Sequence, residues 1–86
     1  MKIKSGYILR EVAGKSIVVP SGDINFNGII TLNESGVLLW KALENGADEK
    51  ALVAVLLDNY DVSESVAEND VKKVVKILRE HKLLDE

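Results

Sequence analysis

The pattern of apolar and polar positions predicts that the chain has two halves, a short sheet and then a set of helices. Apolar and β-branched residues dominate segments 7–12, 16–20 and 26–32, and turn-forming residues separate these segments. This pattern predicts three strands, with Ala13, Gly14 and Lys15 turning the first two into a hairpin. In the third strand one face is formed by Phe26, Gly28, Ile30 and Leu32, and we expect this face to lie towards the helices.

The remaining apolar residues recur at helical spacing in three segments. Asn33 has the character of an N-cap for a first helix at Glu34–Glu44, and Asp48 for a second helix. Ser63 is the predicted cap of the third helix, and Ser65, which with Glu68 fits a capping box, is the alternative. The predicted buried positions are Gly36, Leu39, Trp40 and Leu43 in the first helix, Leu52, Val53, Leu56, Leu57 and Tyr60 in the second, and Ala67, Val71, Val74, Val75 and Leu78 in the third.

Three strands followed by three helices, joined by short turns, predict an α+β fold with the helices packed on one face of a small antiparallel sheet. The 86 residues, of which 47% are hydrophobic, suffice for a single domain spanning 1–86. The absence of cysteine excludes disulfides and thiol catalysis within the chain. Because no signal peptide and no membrane-spanning apolar run is visible, we expect a cytoplasmic protein without a membrane partner.

The candidate catalytic and metal-binding residues form no recognisable site. His81, the only histidine, lies between Glu80 and Lys82 near the predicted end of the third helix, a position typical of a solvated side chain. The carboxylates between Asp58 and Asp70 lack the glycine and the ligand spacing of a calcium loop. The sequence therefore predicts no enzyme activity, no catalytic residue, no metal and no cofactor.

The third helix carries an uneven charge. Residues 71–82 contain five basic residues and one acidic residue, a local charge of +4, whereas the rest of the chain sums to −7. Lys72, Lys76 and Arg79 recur at helical spacing beside the core stripe. Two interpretations remain open: a solvated face whose alkyl stems cover the core, or a binding face for an acidic partner.

Several of these features together resemble the PqqD-like family of small peptide chaperones, also described as RiPP precursor-peptide recognition elements. The segment LNESGVLLW, an Asn-Gly helix stop, a Tyr-Asp-Val segment before the third helix and an acidic residue within that helix occur in the family's order and spacing. The matching residues are Leu32, Asn33, Glu34, Trp40, Tyr60, Asp61, Val62 and Asp70.

The resemblance implies a winged-helix-like fold and a non-catalytic function. Family members bind the leader segment of a ribosomally synthesised precursor peptide and present it to a modifying enzyme, often a radical SAM protein. The leader is expected to add as a strand to the third strand and to lie against the third helix. Carried over to this chain, the peptide-binding residues would be Gly28, Ile29, Ile30, Thr31 and Leu32 in the strand, and Lys72, Val75, Lys76 and Arg79 in the helix.

Two other functions remain as alternatives. A winged-helix nucleic-acid-binding protein would use the third helix as its recognition helix, although Lys72, Lys73 and Lys76 are suited to phosphates rather than to bases. A structural subunit would instead have its sheet edge covered by a permanent partner, for example in a homodimer, and the sequence leaves the oligomeric state open. The chain departs from the family at Lys82, where glycine is common, so the path of Leu83 and Leu84 is not predicted.

Overall fold

The computed structural model describes residues 1–21 and 30–85, which form two small antiparallel sheets and three helices. In chain order the elements are β1 (Lys2–Ile3), β2 (Tyr7–Val12), β3 (Lys15–Pro20), β4 (Ile30–Leu32), α1 (Glu34–Glu44), α2 (Glu49–Asn59), α3 (Glu64–Glu80) and β5 (Leu84–Asp85). One sheet has the order β2-β3-β4 and precedes the three helices, so the predicted α+β fold is confirmed. Of the predicted third strand, residues 26–29 lie outside the described residues.

The hairpin turn is shorter than predicted. Val12 pairs directly with Lys15, so Lys15 belongs to β3 and only Ala13 and Gly14 form the loop. Both loop residues have positive φ, 52° and 78°, as a two-residue turn matching the twist of the strands requires. The prediction of a three-residue turn was therefore wrong by one position.

All three predicted N-caps are confirmed by side-chain hydrogen bonds. The Asn33 side chain accepts from the amide of Gly36, and Asp48 accepts from Ala51. Ser63, not Ser65, caps α3 by accepting from Val66. These bonds satisfy amides that the first helical turn leaves without backbone partners.

The helices bury their predicted stripes in one core, in which α1 contacts β4 and α2 and α3 pack on α1 and on each other. Leu39, Trp40 and Leu43 of α1 are fully buried, and the α3 stripe is buried apart from half-buried Val74. From the sheet, Val18, Ile30 and Leu32 pack towards this core, as the alternation of β4 predicted. Leu57 was wrongly predicted to be buried: it is 39% exposed, because α2 packs through the Leu52 and Leu56 side of the helix and Leu57 lies at the edge of that stripe.

A second sheet, which the sequence did not predict, joins the two ends of the described chain. Lys2 pairs with Asp85 and Ile3 with Leu84. The C-terminal segment reaches β1 through a left-handed turn at Lys82, whose φ is 58°. Lys82 thus takes the conformation that glycine adopts most easily after a helix, and α3 ends at Glu80 despite the substitution.

Candidate functional site

A groove of about 320 Å³ separates β4 from α3. Its first wall is the corner between β4 and α1, and its second wall is one face of α3. Because β4 pairs with β3 only, its other edge has no strand partner among residues 1–21 and 30–85. The groove is lined by Thr31, Leu32, Asn33, Ser35 and Gly36 from the corner, and by Asp70, Lys73, Val74, Ile77 and Leu78 from α3.

The groove-lining face of α3 is different from the face that the sequence singled out. Val75 is 1% exposed and belongs to the core. Lys72 lines another cleft, between α2 and α3. Lys76 and Arg79 are exposed, and an Arg79 guanidinium nitrogen lies 3.8 Å from the sulfur of Met1. At about 100° per residue these three basic side chains project from α3 well away from its groove-lining face.

Among the other predicted site residues, Ile30, Thr31 and Leu32 form β4, while Gly28 and Ile29 lie outside the described residues. Thr31 is exposed, whereas Ile30 and Leu32 are half-buried and contact the core. The structure therefore brings the β4 residues next to α3, as predicted. The helix residues nearest to them are Lys73, Val74 and Ile77.

Ile77 is the large apolar side chain most exposed in the groove. It is 43% exposed, and Val66, the other exposed apolar residue of α3, lies near the start of the helix and does not line the groove. Half-buried Val74 and buried Leu78 lie beside it in the groove wall. The sequence contained a signal for this face: Asp70, Lys73, Val74 and Ile77 have the i, i+3, i+4, i+7 spacing of one helix side.

The β4–α1 corner keeps its shape through close contacts around Gly36. The Asn33 side chain accepts hydrogen bonds from the Gly36 amide at 2.9 Å and from the Ser35 hydroxyl at 3.1 Å. A Cβ added to Gly36 would lie 3.1 Å from the Asn33 oxygen and 3.3 Å from Leu32. The glycine thus lets the capping side chain and the end of β4 approach the first turn of α1.

A second cleft, of about 260 Å³, adjoins the groove at this corner. Asn33, Ser35 and Asp70 line both, so the two are immediate neighbours. Glu34, Leu56, Tyr60 and Val62 complete the second cleft. We call it the acidic cleft, because Glu34 and Asp70 are its charged lining residues among those that the structure describes.

The Tyr60 hydroxyl is the most unusual polar group of the acidic cleft. Its oxygen is buried, and the Glu34 carboxylate lies beside it as a neighbouring charge and hydrogen-bond acceptor. Burial raises the pKa of this hydroxyl above 10.0, and the neighbouring Glu34 carboxylate raises the pKa further. The protonated hydroxyl is therefore favoured in the folded protein.

Within residues 1–21 and 30–85, no group of three or more histidine, cysteine, aspartate or glutamate side chains could hold a metal ion. In the same residues, no helix combines the length and the apolar character needed to cross a membrane.

The β4 edge, unpaired among the described residues, and the groove beside it form a surface to which an extended peptide could add as a strand. The chain belongs to the PqqD family: the family model for Coenzyme PQQ synthesis protein D (PqqD) matches residues 17–84. The resemblance seen in the sequence is thus confirmed. No curated protein matches the chain significantly.

Two solved structures have a similar fold. One is TbiB1 in complex with the TbiA(beta) leader peptide, at 20% identity and a TM-score of 0.77, covering 99% of this chain and 95% of that chain. The other is lasso peptide synthetase B1 complexed with the leader peptide, at 17% identity and a TM-score of 0.73, covering 95% of this chain and 93% of that chain. At these identities the likeness establishes a shared fold over nearly the full length of both chains.

Proposed function

We propose that this protein is a non-catalytic peptide chaperone that binds the leader segment of a ribosomally synthesised precursor peptide. The leader adds as a strand to the free edge of β4 and lies in the groove against α3. The observation that carries this proposal is the free β4 edge beside the groove, in a PqqD-family chain whose fold is shared with two leader-peptide complexes.

Backbone pairing alone is too weak to hold the peptide. Each hydrogen bond to β4 contributes about 0.5 to 1.5 kcal/mol net, while ordering each peptide residue costs about 1 to 2 kcal/mol. Micromolar affinity requires about −8 kcal/mol. Apolar peptide side chains buried against Leu32, Val74 and Ile77 must therefore supply most of the free energy.

The geometry favours one side of α3 for this contact. A strand added to β4 alternates its side chains, and those on the helix side continue the layer of Ile30 and Leu32. They enter the groove at Val74 and Ile77. We therefore extend the predicted site to Asp70, Lys73, Val74 and Ile77. Lys72, Val75, Lys76 and Arg79 stay a prediction that binding experiments have to decide.

The leader-bound domain would present the rest of the precursor to a modifying enzyme. A radical SAM protein is the enzyme class that the family resemblance suggests, and it is part of the proposal. On this reading the chain contributes binding and orientation, and the chemistry belongs to the partner.

An amide NMR titration tests the proposal. The isotopically labelled domain is titrated with the leader of a precursor peptide encoded beside its gene, and separately with a DNA duplex. We expect peptide-induced shifts in Ile30, Thr31 and Leu32 and along Asp70 to Ile77, and none with the duplex. Shifts confined to α3 and produced by DNA alone would replace the peptide chaperone with a nucleic-acid-binding function.

A further inference from the structure

The groove and the acidic cleft lie side by side, and the proposed strand addition to β4 uses only the groove. Asp70 lines both, together with Asn33 and Ser35. Asp70 therefore lies at the end of the groove nearest the start of α1, and Ile77 lies two turns further along α3. The rise between them is about 10 Å. Successive inward side chains of a strand are about 7 Å apart, so two of them fit over this distance.

The two ends of this combined surface differ in chemistry. At one end, half-exposed Ile77 and half-buried Val74 offer an apolar contact. At the other end, Glu34 and Asp70 carry two negative charges, and no cationic residue lines the acidic cleft among the described residues. The α1 N-terminus contributes only about half a positive charge. The acidic cleft thus keeps a net negative charge, and Lys73, which lies one turn of α3 from Asp70, lines the groove and not this cleft.

The polar groups in the acidic cleft are mainly acceptors. The Asn33 side-chain oxygen is already occupied by Gly36 and Ser35. The Tyr60 hydroxyl is buried beside the Glu34 carboxylate, so the acceptors that remain open to a ligand are the carboxylates of Glu34 and Asp70. A ligand group that donates several hydrogen bonds and carries positive charge complements this set.

We propose that the leader segment recognised by this protein carries an apolar residue and, at the next inward-facing position, a lysine or arginine. The apolar side chain lies on Val74 and Ile77, and the basic side chain enters the acidic cleft between Glu34 and Asp70. This assignment rests on the proposed function, because it requires a strand at β4. It defines the substrate class as peptides with an apolar-x-basic pattern.

A selection of random dodecapeptides displayed on phage tests this assignment with the full chain as bait. We expect enriched peptides to share an apolar residue and a basic residue separated by one position. With an E34Q/D70N variant the apolar preference should persist and the basic preference should disappear. Glu68→Gln, on the same helix but lining the cleft between α2 and α3, is the matched control and should select as the parent chain does.

The affinities of one enriched peptide complete the test. Replacing its basic residue by glutamine should weaken binding to the parent chain about fivefold, and binding to E34Q/D70N less than about twofold. The assignment would be overturned if the enriched peptides require Ile77 for binding but show no preference for a basic residue, or prefer an acidic one. The proposed chaperone function would still stand in that case. Enrichment insensitive to Ile77→Asp, or none with the parent chain, would overturn both.

Discussion

The backbone amide of Leu83 donates a hydrogen bond to the carbonyl of Leu78 at 2.8 Å, and both side chains are buried in the core. The amide of Lys82 donates to the carbonyl of Arg79 at 3.0 Å. This pair of bonds is the Schellman arrangement that ends many helices, with its usual apolar contact. It directs the chain from α3 into β5 although the left-handed position holds lysine.

Replacing Lys82 by glycine should stabilise the protein. The left-handed conformation at φ 58° costs a residue with a Cβ about 1 kcal/mol, part of which glycine regains. We expect a midpoint of thermal unfolding higher by about 2 to 6 °C. Lys82→Ala, which removes the charge but keeps the Cβ, is the control and should leave the midpoint nearly unchanged. Equal gains in both variants would assign the effect to charge instead of backbone conformation.

Removing the cap of α1 should destabilise the protein. Asn33→Ala deletes the acceptor for the Gly36 amide and should lower the free energy of unfolding by about 1 kcal/mol. Urea unfolding followed by the fluorescence of Trp40, the single tryptophan, measures it. Asn33→Asp keeps an acceptor and should retain most of the stability. A loss as large in the aspartate variant would mean that the amide nitrogen, not the capping oxygen, matters.

Two adjacent leucines in α2 should respond very differently to truncation. Leu56 is 1% exposed and Leu57 is 39% exposed. Leu56→Ala should lower the free energy of unfolding by about 2 to 5 kcal/mol through lost burial and a cavity. Leu57→Ala, which leaves no core cavity, should cost well under 1 kcal/mol. Similar losses in urea unfolding would restore the sequence-based prediction that Leu57 belongs to the buried face.

Local chemistry explains why so much of the fold was predictable. The caps at Asn33, Asp48 and Ser63 and the core stripe of α3 depend on residues close together in sequence. The pairing of β1 with β5 depends on contacts between the two ends of the chain, and two-residue strands carry no periodicity. The groove face of α3 was missed for a related reason: its position follows from how α3 packs against α1 and α2, whereas basic residues stand out in any helix.

The free energy of unfolding should decrease at alkaline pH because the Tyr60 hydroxyl ionises less readily in the folded protein than in the unfolded chain. Burial and the Glu34 carboxylate raise the pKa of its hydroxyl in the folded protein above the ordinary value of 10.0. The contribution of this group is therefore constant below pH 10 and is lost as the pH rises through the folded-state pKa. Urea unfolding from about pH 8 to about pH 11 should show a smaller alkaline loss in Tyr60→Phe than in the parent chain.

Glu34→Gln separates the effect of burial from that of the Glu34 carboxylate, which raises the pKa of Tyr60 through its charge and through a hydrogen bond. It removes the neighbouring charge but leaves the hydroxyl buried, so the alkaline loss should be intermediate between the parent chain and Tyr60→Phe. If the free energy of unfolding decreases equally at alkaline pH in the parent chain and in Tyr60→Phe, the Tyr60 hydroxyl is not the cause of that decrease.

Two variants on opposite sides of α3 decide which face binds the leader. Ile77→Asp places a charge in the groove, whereas K76E/R79E reverses the charge on the basic side that the sequence pattern predicted. Ile77 and Lys76 are exposed in the absence of peptide, so we expect both proteins to fold, which circular dichroism checks.

Fluorescence anisotropy with a labelled leader peptide, encoded beside the gene, then compares their affinities. Losing the burial of one large apolar side chain should weaken binding to Ile77→Asp roughly tenfold or more. Reversal at Lys76 and Arg79 should weaken binding less than about fivefold, through screened long-range attraction alone. The opposite ranking would move the peptide from the groove to the basic side of the helix.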